Sequence, residues 1–126
     1  MLIRRGDRFV LSIFLILVIT WGNTGFLSGG MGTTVILVRH AEKTQQKVDP
    51  DLSEEGKSRA LKLAQMLAKS NIEGLFATQF KRTQQTLEPL AALIDEKIEV
   101  ISAFETAALV RKILRSYRGK TVVVAS

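Results

Sequence analysis

Thr34-Val35-Ile36-Leu37-Val38, followed at once by Arg39-His40, is the point from which the rest of the 126-residue chain can be read. Its five residues lack polar alternation and are mostly β-branched. That is the pattern of a strand buried on both faces, and such strands belong to parallel sheets covered by helices. Beyond it the chain alternates. Ser53 reads as an N-cap, with Glu54 and Glu55 in the first turn beside the positive helix end. Ala60, Leu63, Ala64 and Leu67 then give one apolar helical face, which Asn71 ends. Leu75-Phe76-Ala77 reads as a short buried strand. Helical spacing returns at Leu87, Leu90, Ala91 and Ile94, with Pro89 removing one backbone donor and kinking the turn. Lys97 to Ile101 is a third strand. Ala103, Ala107, Val110, Leu114 and Tyr117 form a third apolar stripe capped by Gly119, and Thr121 to Ala125 is a fourth buried strand. The order β-α-β-α-β-α-β implies crossover units: an α/β three-layer sandwich with a mostly parallel central sheet.

Open sheets of this kind bind ligands outside the carboxyl ends of their strands. The first strand ends at Arg39-His40. The fourth ends at Ser126, with nothing after it to cover a central strand. Residues 31–126 are therefore expected to be the N-terminal part of a domain that is incomplete at its C-terminus.

Working outward in the other direction, the chain opens with Arg4, Arg5 and Arg8 and then runs from Phe9 to Trp21 with only Ser12 and Thr20 interrupting the apolar residues. Thirteen helical residues span about 20 Å, short of a bilayer's hydrocarbon core of about 30 Å. A small-residue tail follows, with Gly22 and Gly30 as alternative cleavage points. The pattern is that of a secretory signal peptide, so export is expected. Two alternatives stand beside it: an uncleaved anchor touching the membrane through residues 9–21, and a true start at Met31. No cysteine follows the apolar run, which excludes a lipoprotein anchor.

Composition bounds the chemistry. The absence of cysteine excludes disulfides, thiolate metal sites and cysteine nucleophiles, and a single histidine excludes a multi-imidazole metal site. The net charge of +6 owes much to the three N-terminal arginines, and what remains has no aromatic interleaving, so nucleic acid is not an expected partner. The lone His40 follows directly from a buried strand, where such a sheet holds its ligand. Beside it, Arg39 has a planar fork suited to phosphate oxygens. A neutral imidazole is nucleophilic and can take a phosphoryl group covalently.

Four stretches together carry a resemblance. Val38-Arg39-His40-Ala41-Glu42-Lys43 resembles the Arg-His-Gly or Arg-His-Ala signature of the histidine phosphatase superfamily, which also holds the cofactor-dependent phosphoglycerate mutases. Asp51-Leu52-Ser53-Glu54-Glu55-Gly56 is similar to the family's Leu-Ser/Thr-x-x-Gly element. Thr78 to Thr86, with Arg82, Gln85 and Thr86 in register, is similar to its Ser-x-x-x-Arg-x-x-Gln-Thr element. Gly119 to Ser126 resembles the strand leading into its second histidine. The resemblance covers residues 33–126 and implies a phosphoglycerate mutase-like fold. It implies a phosphomonoester hydrolase in which His40 is the nucleophile and Arg39 and Arg82 clamp the phosphoryl group. No metal or other cofactor is implied. Lys43 and Thr44, next on the loop, are candidates for the pocket rim. The implied substrate is a small or accessible phosphomonoester, or a phosphohistidine on a protein.

The departures bear on activity. The second histidine and the acid that follows it in short members lie beyond Ser126, so the chain as given is expected to turn over little substrate. Glu105 occupies roughly the place of the acid in other branches, but reads as a solvated helix residue. Thr78 stands where serine is usual, and Gln79 where proline is frequent. Two rivals remain. Asp49-Pro50-Asp51-Leu52-Ser53 resembles an aspartate-nucleophile pattern, but lacks the preceding apolar strand which that chemistry needs. A non-catalytic, exported or membrane-tethered phosphate-binding module is the other.

Overall fold

Local chemistry accounts for most of the element boundaries. The computed structural model describes residues 32–126, so the signal or anchor read in residues 1–30 lies outside them. Strand β1 spans Thr34–Val38 and helix α1 Glu54–Leu67. The Ser53 side chain accepts from the Gly56 N–H at 3.1 Å, the capping bond expected of it. Strand β2 runs Ile72–Thr78, longer than its apolar centre suggests, and starts directly after Asn71, whose φ of 48° turns the chain. Helix α2 spans Lys81–Ile94 and continues past Pro89. It has no side-chain cap of its own at Phe80; instead Asp49 Oδ1 accepts from the Lys81 N–H at 3.0 Å across the fold. Strand β3 (Ile98–Ile101), helix α3 (Thr106–Ser116) and strand β4 (Thr121–Ala125) complete the alternation. Between α3 and β4, Gly119 takes a φ of 75°, which only glycine adopts freely.

The four strands form one all-parallel sheet in the order β1-β4-β2-β3. Helices α1 and α2 pack on one face over Leu75, Ala77, Val123 and Ala125, burying Ala64, Leu87 and Leu90. Helix α3 packs on the other, over Phe76, Val122 and Val124. This is the three-layer α/β sandwich implied by the alternation. On the α3 side, Tyr117 meets Phe76 edge-to-face, with ring centroids 5.4 Å apart. A Cβ at Gly74 would come within 2.6 Å of Tyr117 Cε1, so glycine is what lets β2 pass beneath the ring.

Two expectations are corrected. Strand β1 is not buried on both faces: it is the edge of the sheet, and Leu37 is 72% and Val35 47% exposed. Ile36 and Val38 pack toward α1 and α2, whereas α3 lies over the neighbouring strands and leaves the opposite face of β1 uncovered. The phase of α3 also differs. Leu109 and Ile113 are its buried residues, with Tyr117 packed beside them, while Val110 and Leu114 are about half exposed. Apolar residues occupy both flanks of this helix, so spacing alone permits either register.

Candidate active site

The sheet register gathers the site. Val38, Ala125 and Ala77 lie side by side in one row across β1, β4 and β2, so the residues that follow them emerge at one level. Ser126 N–H donates to the Val38 carbonyl at 3.0 Å, and His40 N–H donates to the Ser126 carbonyl at 2.9 Å. The ladder thus continues one step past the strands and holds Arg39-His40 against the end of β4. A cavity of about 490 Å³ opens there, lined by Arg39, His40, Thr78, Phe80, Arg82 and Ser126 among others. Its lining carries two guanidinium groups and no acidic side chain, so its side chains favour an anion.

His40 is half-buried, and its Nδ1 lies 2.8 Å from the Ala41 carbonyl oxygen. A carbonyl can only accept, so Nδ1 donates here, and in the neutral ring the lone pair lies on Nε2. This is the tautomer a nitrogen nucleophile needs.

Arg82 belongs to the first turn of α2, whose amino end carries partial positive charge toward the cavity. Its guanidinium carbon sits 4.4 Å from the centroid of the Phe80 ring, and its Nε is buried without a protein partner. Among the described residues neither Arg39 nor Arg82 is in an ion pair. The turn that presents Arg82 is pinned by Thr83. Its hydroxyl lies 2.7 Å from the Phe80 carbonyl and 2.9 Å from the Thr78 hydroxyl.

A family model described as histidine phosphatase superfamily (branch 1) matches residues 35–108. The chain belongs to the histidine phosphatase superfamily. Phosphoserine phosphatase 1 of Hydrogenobacter thermophilus is 33% identical over 97 residues, covering 66% of this chain and 46% of that protein. The chain thus spans about half the length of this relative. Two solved structures share its fold. A phosphoserine phosphatase from Entamoeba histolytica, in complex with 3-phosphoglyceric acid, has a TM-score of 0.59 at 20% identity, covering 75% of this chain and 73% of that one. A mycobacterial glucosyl-3-phosphoglycerate phosphatase has a TM-score of 0.61 at 14% identity, covering 71% of each chain.

In this histidine phosphatase superfamily member, the residues singled out in the sequence do not all meet. Arg39, His40 and Arg82 line one cavity. Lys43 and Thr44 are not among its lining residues. The chain turns away after Ala41: Lys43 bridges to Leu52 in antiparallel fashion, and Thr44 N–H donates to the Asp51 carbonyl at 2.8 Å. Glu105 is exposed at the N-cap of α3 and also lies outside the lining.

The other motif residues build the frame. Gln85 accepts from the Leu52 N–H at 2.7 Å and donates to Asp51 Oδ1 at 2.8 Å. Ser53 N–H donates to the Glu42 carbonyl at 2.8 Å. A Cβ at Gly56 would fall 2.0 Å from that same oxygen, so glycine allows α1 to start against the His40 loop. The stacking of Phe80 on Arg82 is the contact that sequence reasoning missed. Its only signal was an aromatic residue two positions before the arginine.

Proposed function

We propose that this chain carries the phosphoryl-binding half of a phosphomonoester hydrolase, with His40 as nucleophile and Arg39 and Arg82 as the clamp. The observation that carries the reading is the convergence, in one cavity without acidic side chains, of an imidazole whose Nδ1 is held by a carbonyl and two guanidinium groups that make no ion pair among the described residues. In the first step the Nε2 lone pair attacks phosphorus. An N–P bond forms as the ester P–O bond breaks, and the leaving alcohol oxygen takes a proton from solvent, to which the attacking water of the second step returns one. The ring is then formally cationic, and the Ala41 carbonyl that holds Nδ1–H stabilises it. In the second step water attacks phosphorus, the P–N bond breaks, inorganic phosphate leaves and neutral His40 is restored. Phosphoryl transfer depends mainly on in-line positioning and cationic donors, which the two arginines would supply.

The substrate class is a small phosphomonoester or a phosphohistidine on a protein. Phosphoserine leads the panel to be tested, because the characterised relative is a phosphoserine phosphatase. The sequence holds one histidine, so these 126 residues offer the phosphate a single imidazole and slow turnover is expected of them. Reading residues 1–30 as an export signal places the reaction outside the cytoplasm, which cell fractionation would test.

The test is covalent trapping on the 126-residue chain. Incubation with phosphoramidate or p-nitrophenyl phosphate should leave an acid-labile, base-stable phosphoryl group on the peptide containing His40. Arg82→Ala should diminish the label, and His40→Asn should abolish it. Phosphate binding without any label would favour a non-catalytic phosphate-binding module. Absence of both label and binding would sink the site assignment.

A further inference from the structure

Thr86 stands one turn beyond Arg82 on α2 and is only 2% exposed. Its hydroxyl donates to the Arg82 carbonyl at 2.7 Å, a bond that helical threonines commonly make to the residue four before them. That bond uses the hydroxyl's one proton and leaves its lone pairs free. The second bond is not local: the Ala41 N–H, 45 positions away in sequence, donates to the same oxygen at 3.0 Å. Ala41 is also the residue whose carbonyl receives Nδ1–H of His40. One buried hydroxyl therefore links the residue that orients the imidazole to the backbone of the arginine facing it across the cavity.

We propose that Thr86 is a positioning residue. Its hydroxyl holds Ala41 so that His40 keeps its proton on Nδ1, and it sets the spacing between His40 Nε2 and the Arg82 guanidinium. Among the described residues the Ala41 N–H donates to no other acceptor, while its neighbours are held separately, His40 N–H by the Ser126 carbonyl and the Glu42 carbonyl by Ser53. Gln85, the neighbouring motif residue, holds the Asp51–Leu52 segment instead. Without the hydroxyl, the Ala41 N–H loses its acceptor, and the peptide that orients the imidazole can tilt between its anchored neighbours. The imidazole can then exchange tautomers. The catalytic consequence rests on His40 being the nucleophile; the tautomer and the loop anchoring do not.

His40 is the only histidine, so in the full 126-residue chain labelled with ¹⁵N-histidine its ring gives one spin system. Above the imidazole pKa, the wild-type ring nitrogens should report an Nδ1–H tautomer, and Thr86→Ser, which keeps the hydroxyl, should preserve it. Thr86→Val, equal in shape but without the hydroxyl, should give nitrogen shifts of a mixed population. It should also slow phosphorylation of His40 about 10- to 100-fold, the scale expected when a reacting group is misplaced by about an ångström, while inorganic phosphate affinity changes far less. Thr86→Ser should restore the rate. If Thr86→Val does not fold, hydrogen exchange at the Ala41 amide of the wild-type chain decides: slow exchange supports the anchoring, and exchange as fast as at an exposed loop amide overturns it. A folded Thr86→Val protein that keeps a pure Nδ1–H tautomer likewise overturns the proposal. Failure of the phosphatase reading looks different: no label forms on His40 in any variant, yet the tautomer still depends on Thr86.

Discussion

In Gly56→Ala two physical effects have opposite signs, and the structure says which should win. Gly56 is the third residue of α1, where alanine favours the helix over glycine by up to about 1 kcal/mol. Against this, an added Cβ would lie 2.0 Å from the Glu42 carbonyl oxygen, where a carbon–oxygen contact normally needs about 3.3 Å. The obstacle is backbone, so no side chain can swing aside. Instead, the start of α1 and the loop after His40 must part by roughly 1.3 Å to reach that contact distance. Forced overpacking of this kind costs about 1–3 kcal/mol. The same carbonyl accepts from Ser53 N–H at 2.8 Å and from Ser53 Oγ at 3.2 Å, and parting the segments weakens both, at about 1 kcal/mol each. The net expectation is a loss of about 2–4 kcal/mol, which for a domain of this size lowers Tm by on the order of 10 °C or more. Thermal melts followed by far-UV circular dichroism, with urea midpoints as a second measure, read it directly. A Tm that is unchanged or raised by the propensity gain would refute the close approach of α1 to the His40 loop.

Three further substitutions test separate parts of the frame. Gly74→Ala should lower stability by about 1–3 kcal/mol in urea titration, because Tyr117 can yield to the new Cβ only by leaving its edge-to-face contact with Phe76. Its near-UV dichroism should change at the same time. Asp49→Ala removes the acceptor for Lys81 N–H and should cost about 1 kcal/mol, the usual size of a lost helix cap, in the same titration. Lys43→Ala should leave inorganic phosphate affinity within about twofold by calorimetry, since an exposed ammonium outside the cavity is screened by salt.

The parts of this fold that could be read from sequence are those fixed by local pattern. The run Thr121 to Ala125 marked β4, Ser53 marked the start of α1, and Leu87 with Leu90 marked the inner face of α2; all three depend on residues a few positions apart. The misread features depend on what lies beside an element. An apolar run such as Val35 to Val38 has the same composition whether its strand is central or at an edge, and only the placement of α3 over the neighbouring strands leaves Val35 and Leu37 bare. For α3 the spacing pointed to Val110–Leu114, but Leu109–Ile113 has the same helical spacing. The sheet takes the pair that reaches Phe76 and Val124.

The site divides along the same line. His40 and Arg39 were legible because position after a strand is local information, and the sheet then delivers that position to the ligand end. Arg82 was legible only through the family resemblance; by itself it is one basic residue at the start of a helix. Lys43 and Thr44 were assigned by proximity to His40 in sequence, but their backbone pairs with Asp51 and Leu52 and neither is among the cavity's lining residues. Gln85 and Thr86 show the opposite case. Both were recognised as motif letters without any chemistry attached, because each works on residues more than thirty positions away. Gln85 spans 33 residues to the Leu52 amide and Thr86 spans 45 to the Ala41 amide. Neither residue lines the cavity that Arg39, His40 and Arg82 share. They fasten the His40 loop and the Asp51–Leu52 segment to α2, so that the imidazole of the loop and the Arg82 guanidinium of the helix face the same cavity.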